Sequence, residues 1–218
     1  PDGSVAIPGF YDRVLPLTPA EKQRIASVQV EPETLLKLTG SPELYGEAGY
    51  TPLERIGARP TLDVNGLYSG FIGEGSKTII PAYAKAKISC RLVPEQNPDE
   101  LFELIQAYIT SLTPSAVRLT IFKHSGGSAY LADDAPGIEQ LAKALGDTWN
   151  KPLSYKREGG SVPVTATMLK HLGVKSLLTG FGLPDDRIHS PNEHQHLPTW
   201  KLGVQALIRF LLNFDNVH

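Results

Sequence analysis

From Thr61 onward the hydrophobic period of the chain falls to two, a repeat that only a strand converts into one continuous face. Leu62, Val64 and Leu67 mark a first strand. After a glycine-rich connection from Gly70 to Thr78, the run Tyr83 to Val93 sets Ala84, Ala86, Ile88, Cys90 and Leu92 against Tyr83, Lys85, Lys87, Ser89 and Arg91. Two such runs joined by glycines predict a hairpin, with Arg91 on its polar face. A helix beginning at Pro98 follows, with Leu101, Ile105, Tyr108, Ile109 and Leu112 on one stripe. Val117, Leu119 and Ile121 then alternate again as a third strand. Strands and helix in this order specify a small antiparallel sheet with helices on one face, an α+β layer that forms part of a split βαβ unit.

The flanks have a different texture. Residues 8–60 read as loop and helix: Thr18-Pro19-Ala20-Glu21 is a capping box with proline in the first turn, Ile25 and Val28 continue that helix, and a second helix from Pro32 to Leu38 stops at Gly40. Prolines 42, 52 and 60 then predict an irregular segment wrapping the surface. After Ala132, Asp133-Asp134-Ala135-Pro136 is a boundary and a helix start. Ile138, Leu141, Ala142, Leu145 and Trp149 give a helical face, and a helix from about Val164 to Leu172 is closed by Gly173. Val174 to Thr179 reads as a buried strand, and Trp200 to Phe214 as a last helix with Val204, Leu207, Ile208 and Leu211 inward. Tyrosines and tryptophans at helical spacing are assigned to the core. This is α/β alternation, with polar loops after strands, where such sheets bind ligands.

The 218 residues are 41% hydrophobic, enough for a core, and a net charge of −2 gives no basic surface for nucleic acid or an anionic membrane. No apolar run approaches the ~18 residues of a membrane span, and no leader is evident. Cys90, without a second cysteine, reads as a buried small hydrophobe, which suits a reducing, cytoplasmic setting. The single methionine is Met168, so the chain does not open on an initiator.

Two polar clusters carry the chemistry. Arg157-Glu158-Gly159-Gly160-Ser161 sets a carboxylate and a hydroxyl beside glycines that let backbone N–H groups approach an anion or carbonyl. Arg187-Ile188-His189-Ser190-Pro191-Asn192-Glu193 places an imidazole in an irregular loop after Asp185 and Asp186, free to bind a metal. Most loop histidines are plain surface residues, so the pair of clusters matters more than either. His194 and His196 extend the second as a possible short metal tract or as solvated loop residues; His124, His171 and His218 read as surface. The glycine-rich loop ending in Lys77-Thr78 is no P-loop, since Ser76 separates glycine from lysine and a strand follows. Ser161 lacks the glycine of a nucleophile elbow, Pro163 standing in its place.

Taken in order, Ile7-Pro8-Gly9-Phe10-Tyr11-Asp12, Asn65-Gly66-Leu67 leading to Lys77-Thr78-Ile79-Ile80-Pro81, Ser89-Cys90-Arg91-Leu92-Val93-Pro94, Arg157 through Pro163, and His189-Ser190-Pro191-Asn192-Glu193 resemble the di-zinc metallopeptidases that include aminoacylase, acetylornithine deacetylase and carnosinase-type dipeptidases. The resemblance implies a ferredoxin-like lid that also dimerises, over 1–131 with a helical or irregular insertion at about 8–60, followed over 132–218 by the C-terminal α/β part of a catalytic domain. It further implies two Zn²⁺ or Mn²⁺ ions, with His189 as the last metal ligand. Thr78, Arg91, Gly160 and Ser161, together with His189, would hold the substrate, and Glu158 and Glu193 would support from behind. The implied partners are a small peptide and a second copy of the chain through the lid, with Thr78 acting on that copy's site.

The departure from the family pattern is as informative. Its His-x-Asp pair, Glu-Glu pair, further Asp and lid histidine have no counterpart, for no His-x-Asp or Glu-Glu occurs here and His124-Ser125-Gly126 falls after the lid's last strand. The resemblance therefore implies the C-terminal portion of a metal-dependent hydrolase of dipeptides or N-acyl amino acids, inactive alone and without a catalytic base of its own. The alternatives are a non-catalytic dimerisation or binding module and a serine hydrolase using Ser161.

Overall fold

The computed structural model describes residues 2–28, 30–124, 126–127, 129, 135–155, 157 and 162–214. It divides into two compact units, Pro1–Tyr130 with Lys156–Pro163, and Leu131–Tyr155 with Val164–His218. Helices α1 (Pro19–Ser27), α2 (Pro32–Thr39) and α3 (Pro52–Ala58), strands β1 (Thr61–Ser69) and β2 (Ala84–Arg91), and helix α4 (Pro98–Leu112) belong to the first; α5 (Ile138–Trp149), α6 (Pro163–Leu172) and α7 (Leu197–Leu212) follow. The architecture is α+β.

In the first unit local signals set the helix ends. Thr18 caps α1 and Glu21 returns the bond to the Thr18 N–H, the reciprocal pair that satisfies two orphan donors. Gly40 ends α2 in the left-handed conformation. The expectation of an irregular segment after Gly40 is corrected at Pro52: Thr51 and Glu54 form a second capping box, and Pro52 starts α3 rather than breaking the chain.

β1 and β2 pair antiparallel from Thr61↔Arg91 to Ser69↔Ala84, with a bulge between Val64 and Gly66. The bulge accounts for the uneven spacing of Leu62, Val64 and Leu67. One extra residue on β1 returns Leu67 to the side of Ala86, as Leu62 faces Cys90 and Val64 faces Ile88. Val117 to Ile121 is not a third strand, and among the described residues the sheet has two. A strand is defined by ladder bonds to a neighbour, and alternation alone supplies none.

The core of this unit sits at the base of the hairpin. Ile7, Phe10 and Leu101 are buried together, and Leu62, Cys90, Leu92, Leu104, Ile105 and Tyr108 pack around them. α4 is capped by Asn97, whose side chain accepts the Asp99 and Glu100 N–H groups, and it turns Leu101, Leu104, Ile105 and Tyr108 inward while Leu112 is exposed. Gln96, buried, donates to the Phe10 carbonyl at 2.9 Å and accepts from the Val93 N–H at 3.1 Å, closing the backbone of the two segments that the core joins. Arg59, just before β1, grips Glu47 through two nitrogens at 2.6 and 2.8 Å and lies over the rings of Tyr11 and Tyr50.

The second unit is built on α5 against α7. Leu141 and Ala144 are buried on α5, and Gly203 and Ala206 on α7. Phe181 stacks on Trp149 at 5.7 Å and lies so close to Gly203 that a Cβ there would meet the ring at 2.5 Å. The inward face of α7 is therefore its small residues, with Leu202 and Phe210 half-buried. Val204, Leu207, Ile208 and Leu211, expected inward, are exposed, as is Trp200. Large side chains were the wrong guide, because the ring of Phe181 needs a face without bulk. Val174 to Thr179 is likewise neither strand nor fully buried, with Val174 and Leu178 exposed.

Truncating Phe10, 1% exposed, removes the largest apolar side chain of its cluster. Phe10→Ala is expected to destabilise the first unit by about 3–5 kcal/mol, measured as a lowered denaturant midpoint.

Candidate functional site

Arg91 and Thr78 lie in the first unit. Arg91 closes β2 opposite Thr61, exposed, and no described carboxylate pairs with it. Its neighbours in sequence, Cys90 and Leu92, both pack on the Phe10 core, so the guanidinium projects from a fixed base. Thr78 lies exposed on the connection between the strands, where Gly70 and Gly75 take positive φ. Cys90 is half-buried rather than buried; burial pushes its thiol up to about 11, with Asp63 of β1 adding to the effect. At neutral pH the thiol is therefore uncharged and a poor nucleophile or metal ligand.

Glu158, Gly160 and Ser161 lie outside the described residues, but Arg157, which introduces them, is well anchored. Its guanidinium pairs with Glu21 of α1, both side chains largely buried. Its backbone carbonyl lies against Gly57 of α3, where a Cβ would come within 2.4 Å. Burial alone would raise the Glu21 carboxyl; hydrogen bonds from Thr18 and the Arg157 charge outweigh it and hold the pKa below its usual 4.5. Glu21 thus serves the α1 capping box and this tie at once. The tie was not legible in the sequence, where 136 residues separate the partners.

His189 and Glu193 lie in the second unit, on the loop before α7. His189 is exposed with φ +61, and neither ring nitrogen is engaged by a described residue. The neighbouring histidines are spent locally: His194 Nδ1 lies 3.1 Å from the Asn192 carbonyl and His196 Nδ1 lies 2.8 Å from Thr199 Oγ1. Glu193 is exposed and its N–H donates to the Ser190 carbonyl at 3.2 Å. An imidazole that no described residue engages, on a solvent-facing loop, is the right kind of donor for a divalent cation, so His189 suits one position of a metal site. Among the described residues no three metal-binding side chains cluster, so His189 stands there as a single donor and not as part of a complete site. Nor is any helix of the described residues long and apolar enough to cross a membrane.

Residues 16–117 match the peptidase dimerisation domain of the M20 peptidases. A Cys-Gly metallodipeptidase of Candida albicans is 34% identical over 216 residues, covering 96% of this chain and 44% of that protein. The beta-Ala-His dipeptidase of Homo sapiens is 24% identical, over 99% of this chain and 43% of the relative. Among solved structures, an M20 family metallo-carboxypeptidase of Sulfolobus solfataricus superposes with a TM-score of 0.82 at 27% identity, over 96% of this chain and 48% of that one. The chain thus spans under half the length of these relatives.

The Glu21 and Arg157 tie gives a pH signature. Because the folded carboxyl is held below its unfolded value, the pairing contributes fully above about pH 4.5 and is lost as pH falls through the folded value. Wild type is expected to lose more thermal stability than Glu21→Gln between pH 6 and pH 3, read by paired melting curves. With that tie, the hairpin and the exposed imidazole all described, residues 16–117 carry a peptidase dimerisation domain of the M20 type, and nearly the whole chain is similar to part of M20-family metallopeptidases.

Proposed function

We propose that this chain supplies the lid, over 1–131, and the C-terminal part of the catalytic α/β domain, over 132–218, of a metal-dependent dipeptidase that acts in the cytoplasm as a homodimer through the lid. The relatives named above are, by description, a Cys-Gly metallodipeptidase, a beta-Ala-His dipeptidase and a metallo-carboxypeptidase, and the dimerisation domain supports assembly through this region. The observation that carries the reading is His189, held in a left-handed conformation with neither ring nitrogen engaged by a described residue, while Nδ1 of His194 and Nδ1 of His196 each have a local partner.

Two divalent cations, Zn²⁺ or Mn²⁺, would supply Lewis acidity when bound, and His189 would ligate one of them. The remaining donors and the general base lie outside these residues. Arg91 grips the C-terminal carboxylate of the substrate, because a guanidinium that no described carboxylate engages can form two parallel charge-assisted bonds to such a group. Thr78, reaching the partner copy, and Gly160 with Ser161 complete the hold on the peptide, and Glu158 and Glu193 orient the groups that touch it. A peptide with a free C-terminus fits this reading, because Arg91 is placed to grip a terminal carboxylate.

In the full-length protein, His189→Ala is expected to weaken metal affinity by more than the about 10- to 100-fold that loss of an outer-sphere partner costs, and to abolish dipeptide hydrolysis. Arg91→Ala is expected to raise KM about 10- to 100-fold, and a dipeptide amide, lacking the terminal carboxylate, to show the same loss with the wild type and no further loss with the variant. Steady-state kinetics and bound-metal analysis read both. Unchanged metal content and rate in His189→Ala would indicate a non-catalytic dimerisation module instead.

A further inference from the structure

Asp186 is 2% exposed although its neighbours Asp185 and Arg187 are exposed, which is rare for an aspartate in a surface loop. Its Oδ2 accepts the Leu183 N–H at 2.7 Å. Its own N–H donates to the Leu183 carbonyl at 3.1 Å, and its carbonyl accepts the His194 N–H at 3.0 Å. One residue therefore fastens the start of the loop to its end.

Between those fastenings the chain is in a conformation it does not choose freely. Arg187, His189 and Asn192 all have positive φ, at 54°, 61° and 63°, a region L residues rarely enter. The Ser190 N–H bonds to the Arg187 carbonyl at 2.9 Å and the Glu193 N–H to the Ser190 carbonyl at 3.2 Å. The loop also folds onto Gly182, where a Cβ would stand 3.0 Å from Ile188 Cδ1 and 3.7 Å from Asp186 Oδ2. Among the described residues Asp186 Oδ1 has no donor, so there the carboxylate is held by the Leu183 bond, and the side chain remains buried despite the orphaned oxygen. A buried acceptor left partly unsatisfied persists where the geometry it fixes is needed.

We propose that Asp186 is a positioning residue for His189: the Leu183 bond of its carboxylate, with its backbone bonds to Leu183 and His194, clamps the loop so that the imidazole is presented outward with its nitrogens free. The consequence for metal binding rests on the reading of His189 as a ligand, whereas the clamp itself does not.

The test has two arms. In the 218-residue chain, amide hydrogen exchange at Ser190 and His194 reports the loop and exchange in α5 and α7 reports the fold. Asp186→Ala is expected to speed His194 and Ser190 exchange about tenfold or more while the helices are unchanged. Asp186→Asn keeps an oxygen for the Leu183 N–H and puts its NH₂ where Oδ1 had no donor to lose, so it should stay near wild type, as should Asp185→Asn. In the full-length protein, competition with a zinc chelator is expected to show about 10- to 100-fold weaker binding for Asp186→Ala and near-native binding for Asp186→Asn. Unchanged His194 exchange in Asp186→Ala, or an Asp186→Asn variant as loose as the alanine, overturns the clamp. If His189→Ala keeps its zinc, the ligand reading fails while the exchange result still judges the clamp; if His189→Ala loses zinc and Asp186→Ala does not, the positioning role fails and the ligand reading stands.

Discussion

Burial of Phe10 is the constraint on which the first unit depends. A two-stranded hairpin is marginal in water by itself, and this one exposes most of both faces. It gains a solid base only where Leu62, Cys90 and Leu92 meet Phe10, Ile7 and α4. Phe10 comes from a turn near the start of the chain, its N–H bonded to the Ile7 carbonyl at 3.1 Å, and Gln96 holds its carbonyl from the far side. The segment that sequence assigns to an insertion thus begins with the centre of the core. Arg91 inherits its placement from this arrangement, since its two neighbours are the strand residues packed there.

Charge ties extend that order outward. Arg59 joins Glu47 and two tyrosine rings at the entry to β1, and Arg157 returns to α1 and α3 immediately before the Glu158 to Ser161 stretch. Partly buried ion pairs contribute little net stability once desolvation is counted, but removing one partner leaves a charge stranded. Their effect here is to fix which segments lie together.

What was legible in the sequence was whatever neighbouring residues decide among themselves. Thr18 with Glu21, Gly40, and the alternation of β2 were read correctly because a cap or a period needs no distant partner. Thr51 with Glu54 carries the same capping signal, and only that box distinguishes Pro52 at a helix start from the chain-breaking prolines around it. Val117 to Ile121 and Val174 to Thr179 alternate or run apolar like strands, but strands are made by neighbours. The face of α7 was misassigned for a related reason: Gly203 and Ala206 turn inward to admit the ring of Phe181, which no helical period reveals. Burial of Gln96 and Asp186 was equally invisible, since a polar residue is buried only when tertiary partners accept it. His189 stood out by its context, whereas Ser161, its companion in the sequence reading, lies outside the described residues.

We propose above all that the His189 imidazole, engaged by no described residue, faces a bound cation in the full-length protein. Anomalous diffraction from zinc-loaded crystals of that protein tests it most directly. The account predicts a zinc peak about 2.0–2.1 Å from a His189 ring nitrogen. Zinc bound at the catalytic centre with the His189 ring turned away from every ion would contradict it.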